Sequence, residues 1–239
     1  MGDDTPYLLD GTHWSGPTGI PHLLLAHLGY TGLALLCGVV IALPVGLYIG
    51  HTGRGSFLAI NAGNAGRSLP TLGLLMLMVT LMGTRYGLLP VLIALTVLVI
   101  PPILTSTYAG LRNVDREAVD AAVGMGMRPW QVLWRVEVPM ALPVMLGGLR
   151  SAALQVVATA TVAASVGLSG LGRLLIDGLS VNDYGRVVAG AVVVAVLAIV
   201  LDLALGLVQR YVVSPGVSGR GLSRSGVKAP AARLDPDRL

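Results

Sequence analysis

Five stretches of this chain stay mostly apolar for the roughly 20 residues a helix needs to cross a bilayer, and polar residues gather between them. They cover residues 23–50, about 58–83, about 87–107, about 140–166 and about 187–209. Arg67 interrupts the second and Arg150 the fourth. The runs are continuous in Leu, Val, Ala and Gly and do not alternate over about ten residues as the strands of a membrane barrel do. The predicted class is therefore all-α, a polytopic membrane protein with about five transmembrane helices. Residues 1–22 form a tail before the first span, and 23–213 the transmembrane domain. Residues 214–239 turn to Ser, Gly, Pro, Arg and Asp and have the composition of a disordered extension.

Between the third and fourth spans lies a charged island, residues 108–139. Asp115 is placed to cap a short helix with Glu117 in its first turn, near the positive end of the helix dipole, and Gly124 and Gly126 supply its stop. Pro129 suits the first turn of a second short helix on which Trp130, Leu133 and Trp134 recur at i, i+3 and i+4. Pro139 and Pro143 then begin the return to the membrane. The expectation is a compact helical knob; the alternative is a solvated loop with an interfacial Trp belt.

Composition agrees with the membrane reading, with 54% hydrophobic residues against 12% charged and a mean hydropathy of +0.77. The first basic residue is Arg54, so nothing holds the N-terminal tail inside, and it lacks the basic start of a secretory signal. With five spans, one side then receives Arg54, Arg112, Arg116, Arg128, Arg135 and every basic residue from Arg210 onward. The other receives Arg85, Arg173 and Arg186. Positive-inside bias puts the N-terminus outside and the island and C-terminus in the cytoplasm. The net charge of +4 is explained by this topology, and no nucleic-acid partner is expected.

Cys37 is the sole cysteine and Lys228 the sole lysine, and no phosphate-cradling loop of the G-x-x-x-x-G-K-[ST] kind is present. An internal disulfide is excluded, and so is ATP hydrolysis by that route; no catalytic or metal site is expected. The glycines of VGLSGLG, residues 166–172, read as a turn or re-entrant corner near an external gate.

The string DAAVGMG, nine residues, then VEVP resembles the EAA signature of ATP-binding cassette importer permeases. Asp120, Ala121, Ala122, Gly126, Val136, Val138 and Pro139 occupy its positions, with Asp where Glu is usual and Val where Ile and Leu are usual. The wider strings LPTLGLL, GLRNVD, GLSGLG and LDLALGL extend the likeness from about residue 69 to residue 210, and are similar to the osmoprotectant permeases for glycine betaine, carnitine or choline. That resemblance implies a type I, MetI-like permease in a bacterial cytoplasmic membrane. It implies a second permease copy or paralogue, a pair of cytoplasmic ATPase subunits that bind the ATP, and an external binding protein. In that picture the knob is the coupling helix, docking through Glu117, Asp120, Ala121, Ala122, Gly126, Pro129, Trp130 and Pro139.

The spans also offer a path. In the second, Asn61, Asn64, Arg67 and Ser68 precede Pro70, and a lipid-facing helix would not carry such groups. They are expected to face the bundle or a water-filled cavity; the alternative makes 58–68 an interfacial segment before a short span. In the fourth, Gly147, Ser151, Gln155, Thr159 and Ala163 recur every four residues, a stripe that either lines a path or only packs helices. Arg150 is expected to snorkel and Asp202 to pair within the bundle. With one Phe, three Trp and seven Tyr, no aromatic cage for a quaternary amine is assembled from the spans. An importer of methionine or another small amino-acid-like solute remains the alternative. Secondary transport is disfavoured by the knob and by the lack of an internal repeat.

Overall fold

Small residues let two helices of this chain touch along most of their length. The computed structural model describes residues 7–68 and 70–213. In it, α1 (Ile20–Thr52) sets Gly38, Gly46 and Gly50 against Val99, Thr107 and Leu111 of α4 (Leu89–Arg112). A Cβ on any of these glycines would stand 2.7 to 2.8 Å from the facing side chain. The matched steps along both helices make α1 and α4 parallel. The chain thus leaves α1 at one end of the bundle and enters α4 at the other, so the segment between them has to cross back.

That crossing is made by two helices, α2 (Ser56–Ser68) and α3 (Thr71–Met82), bent by 97° about Pro70. The expected continuous second span is corrected to a broken one. Proline brings no N–H to the helical ladder and disfavours helical backbone in the residue before it. Gly63 of α2 meets Thr105, and Gly66 meets Pro101. Those contacts set α2 beside the middle of α4. α1, α4 and the two long helices described next are long and apolar enough to cross a membrane, and the bent pair, counted as one broken span, makes five.

After α4 the chain forms α5 (Arg116–Gly124) and α6 (Pro129–Val132) at the end of the bundle where α1 finishes, here called the knob end. A second correction concerns α6. It is not a separate helix followed by a return; it runs through a π-helical turn, Leu133–Glu137, straight into α7 (Val138–Ala160). Pro139 does not break this helix because it falls in the first turn of α7, where the widened turn has already moved the Val138 N–H to the Leu133 carbonyl.

α7 packs antiparallel on α4, Gly110 against Ala141 and Gly148 against Ser106. At the far end it tightens into a 3-10 turn, Thr161–Val166, and the VGLSGLG corner follows. Gly170, at φ +141°, lies so near Tyr30 that a Cβ would stand 2.5 Å from its hydroxyl. Next comes α8 (Gly172–Ser180), a helix the sequence reading passed over as loop. Leu171 and Leu174 pack there with Ile20 and Leu23. Finally α9 (Tyr184–Val212) recrosses with only Ala189 and Gly190 buried. The tail 214–239 lies outside the described residues.

Polar ties also join distant spans. Buried His27 of α1 places Nε2 3.1 Å from the Val157 carbonyl, and Tyr30 sets its hydroxyl against both His27 Nδ1 and the Ala160 carbonyl. Arg150 of α7 holds Asp202 of α9 through Nε and Nη2, one to each carboxylate oxygen. Arg150 therefore does not snorkel, because a bidentate partner stands within reach on the neighbouring helix.

The α1–α4 seam yields the first prediction. Gly46→Leu drives atoms into Thr107 and should cost about 1–3 kcal/mol or more by overpacking. Gly29→Leu has open space at that position and should be near neutral. Melting temperature in detergent checks this; equal melting of both variants would sink the seam as the main packing contact.

Candidate functional site

Two features stand out, a cavity in the bundle and the knob beside it. The cavity has a volume of about 550 Å³ and is lined by Ile60, Gly63, Asn64, Gly66 and Thr71 from the broken span, Pro101, Pro102 and Thr105 from α4, and Gln155 from α7. Its polar groups are two amides, two hydroxyls and backbone, and no lining side chain is ionisable or aromatic. The Thr105 hydroxyl donates to the Pro101 carbonyl of the preceding turn. Of the predicted path residues, the structure brings Asn64 and Gln155 together here. Ser68 closes α2, its hydroxyl donating to the Asn64 and Ala65 carbonyls, and Pro70 opens α3 next to the lining residue Thr71. The Arg67 side chain lies outside what the structure describes.

On α7 the face packed into the bundle is Ala141, Met145, Ala152, Val156 and Ala160, with Gly148 close on α4. The predicted stripe sits one residue away. Gly147 has nothing near its missing side chain, Ser151 is exposed, and Gln155 and Thr159 are half-buried. Only Ala163 of that stripe is buried. Offset by about 100° of helix rotation, the stripe is not what packs α7 against α4.

The knob is built by local rules. Asp115 accepts the Glu117 N–H at 2.9 Å and so caps α5. The C-terminus closes with paired bonds, Met127 N–H to the Ala122 carbonyl and Gly126 N–H to that of Val123, with Gly126 at φ +83°. This is a Schellman turn, and it needs a residue content in left-handed backbone. Arg128 and Gln131 start α6, the Gln131 side chain accepting the Arg128 N–H, with Pro129 at the first helical position. Ala122 points inward; Glu117, Asp120, Ala121, Pro129 and Pro139 are exposed. Val123, Met125 and Trp130 are also exposed, at 56%, 73% and 68%, an apolar patch of which the sequence reading named only the tryptophan. The expected single face of Trp130, Leu133 and Trp134 divides. Leu133 is buried, and the two indoles meet edge to face at 5.3 Å.

One contact at the base of the knob was not anticipated at all. Glu137, buried within the π turn, bonds His51 Nδ1 at the end of α1 at 2.5 Å.

Residues 34–214 match the family described as "Binding-protein-dependent transport system inner membrane component". The chain belongs to this family. It is a multi-pass inner-membrane protein and a permease component of an ABC importer. The permease is 31% identical over 193 residues to the glycine betaine/carnitine/choline transport system permease protein OpuCB of Bacillus subtilis (strain 168), covering 81% of this chain and 88% of that one. It is 34% identical to the osmoprotectant import permease protein OsmW of Salmonella typhimurium, over 90% of this chain and 99% of the relative. Among solved structures, an inward-facing MetNI methionine ABC transporter superposes with a TM-score of 0.70 at 24% identity, covering 82% of this chain and 96% of that one. The fold is thus shared with MetI-like permeases.

The Schellman turn gives the second prediction. Gly126→Val forces a β-branched residue into left-handed backbone at about 1–2 kcal/mol, whereas Gly126→Asn should cost less. Amide exchange at Met127 should accelerate roughly 5- to 30-fold in the valine variant and clearly less in the asparagine one. Equal exchange in both would refute the turn assignment.

Proposed function

We propose that this permease lines the translocation path of an ATP-driven importer for quaternary amine osmoprotectants, a class that includes glycine betaine, carnitine, choline and proline betaine. The substrate class is supported by the relatives, which carry those names across nearly the whole of their length. The observation that carries the mechanism is the continuity of the knob with α7: one helix runs from Pro129 to Val166, and Gln155 on it faces the cavity. A partner that moves the knob moves a wall of the path.

In this reading the partners are a pair of ABC ATPase subunits at the knob, a second permease copy or paralogue, and an external binding protein. ATP is bound by the ATPase subunits and not by this chain, which holds no cofactor and performs no catalysis. Glu117, Asp120, Ala121, Gly126, Pro129 and Trp130 form the docking surface, with Val123 and Met125 as its apolar centre. Pro139 is exposed beside this surface, at the start of α7, and Ala122 acts from within by holding α5 on the bundle. Asn64, Ser68, Pro70, Ser151, Gln155 and Thr159, with Arg67, line or flank the path. A cavity with neutral lining and no aromatic cage holds a solute weakly, so selection is left to the binding protein and release is easy. The charge bias along the chain supports a cytoplasmic knob and an external N-terminus.

Uptake tests the substrate. In cells without other betaine carriers, deleting the gene for this chain should abolish saturable glycine betaine uptake at high osmolarity, and excess carnitine or choline should compete where methionine does not. Unchanged betaine uptake would sink the assignment; competition by methionine alone would move it to amino-acid-like solutes. Docking has its own test. Ala121 is exposed, so Ala121→Trp should leave folding intact while lowering uptake about tenfold or more, the loss expected when a bulky group breaks a packed contact. Normal uptake with tryptophan at 121 would remove this face from the interface.

A further inference from the structure

We propose that His51 and Glu137 form a strut that carries movement of the knob into α1; the inference rests on the importer reading above and adds to it a pair of positioning residues. The knob is joined by the chain itself to α4 and to α7, but α1 has no such connection, since it ends at Thr52 and the chain continues into α2. Among the described residues, the side-chain hydrogen bond between α1 and the knob end of the α7 helix is that of His51 to Glu137. It spans 86 positions of sequence.

Its setting favours a fixed geometry. Glu137 is 8% exposed, and a buried carboxylate without a donor is costly. A carboxylate only accepts, so the bond to Glu137 calls for the His51 tautomer with its proton on Nδ1. Beside the pair runs an apolar groove of about 570 Å³ lined by Leu43, Leu47, Leu133 and Trp134, with His51 on its wall. Leu47 and Leu133 also share a packed cluster, so the bond reinforces an apolar contact and sets its register. Loss of the bond would leave α1 and the knob able to slide on that greasy surface.

Glu137 also occupies the π turn, the one widened turn along the Pro129–Val166 helix. A π turn in an otherwise α-helical segment is a common mark of a functional position. With the turn pinned to α1, displacement of the knob cannot be absorbed by rewinding there. It passes to α1 and, through the glycine seam, to α4.

The test uses the complete complex in liposomes, this chain with its ATPase, permease partner and binding protein, and reads glycine betaine transported per ATP hydrolysed. Glu137→Leu and His51→Leu should each lower that ratio about tenfold, the scale of a typical coupling between sites, while hydrolysis continues. Glu137→Gln keeps an acceptor and His51→Asn keeps a donor near the Nδ1 position, and both should stay within about twofold of wild type. The double leucine variant should be no worse than either single one. Because Glu137 is buried, failure of Glu137→Leu to assemble leaves the His51→Leu and His51→Asn pair to decide. Wild-type ratios in both leucine variants, or equal losses in leucine and conservative variants, would overturn the strut alone. Absence of ATP-driven uptake in the wild-type complex would overturn the importer reading and the strut with it.

Discussion

The close approach of α1 to α4 is the constraint on which the rest of this structure depends. Lipid tails are as apolar as leucine, so helices in a membrane gain little by hiding apolar surface from lipid and rely on packing contacts and interhelical bonds. Gly38, Gly46 and Gly50 permit that contact by leaving room for Val99, Thr107 and Leu111. The same method recurs where α4 meets α7, at Gly110 and Gly148, and where it meets α2, at Gly63 and Gly66. α4 is thus a central post held on three sides through glycines. Because α1 stands parallel to it, the chain between them has to recross, and it does so with a bend of 97°. The cavity lies where the bent pair, the Pro101–Pro102 step and Gln155 of α7 come together.

The knob solves a different problem. A segment that transmits force should be stiff inside and sharply turned at its corners. Here the corners are fixed by bonded motifs, the Asp115 cap, the left-handed Gly126 turn and the Arg128–Gln131 start of α6. The exit is no corner at all, since α6 continues as α7. Any partner gripping the exposed Val123, Met125 and Trp130 holds one end of a helix whose other part reaches the cavity.

How much of this the sequence carried follows from how local each feature is. Spans were readable because bilayer thickness sets a length of apolar chain, and the five boundaries fall close to the observed helices. The α5 cap and its glycine stop were readable because capping is a matter of a few adjacent residues. Features made by distant partners were not. Arg150 and Asp202 lie 52 positions apart, and nothing in either span names the other. His51 and Glu137 are 86 apart, and Glu137 read only as the variable position of a motif. Of the two readings of the α7 stripe, packing against α4 belongs to the face one residue away, because small residues occupy both faces and periodicity alone does not say which face meets α4. Helix α8 had a signal in Leu171, Leu174 and Leu175 at i, i+3 and i+4, masked by the glycines on either side.

Charge placement completes the argument for a path that carries solute without trapping it. Two pairs of ionisable groups described in the bundle are spent on one another: Arg150 on Asp202 between α7 and α9, and His51 on Glu137 at the knob end. Both pairs sit away from the residues that line the cavity, where amides and hydroxyls offer bonds to a small polar solute. A fixed charge there would bind one class of ion tightly and slow its release. Amides on opposite walls, Asn64 on the broken span and Gln155 on the helix that continues from the knob, give weaker contacts that change with the distance between those walls. In the proposed path, a movement of the knob that shifts α7 relative to α2 would alter the grip on the solute directly, because Gln155 lies on the helix that continues from the knob.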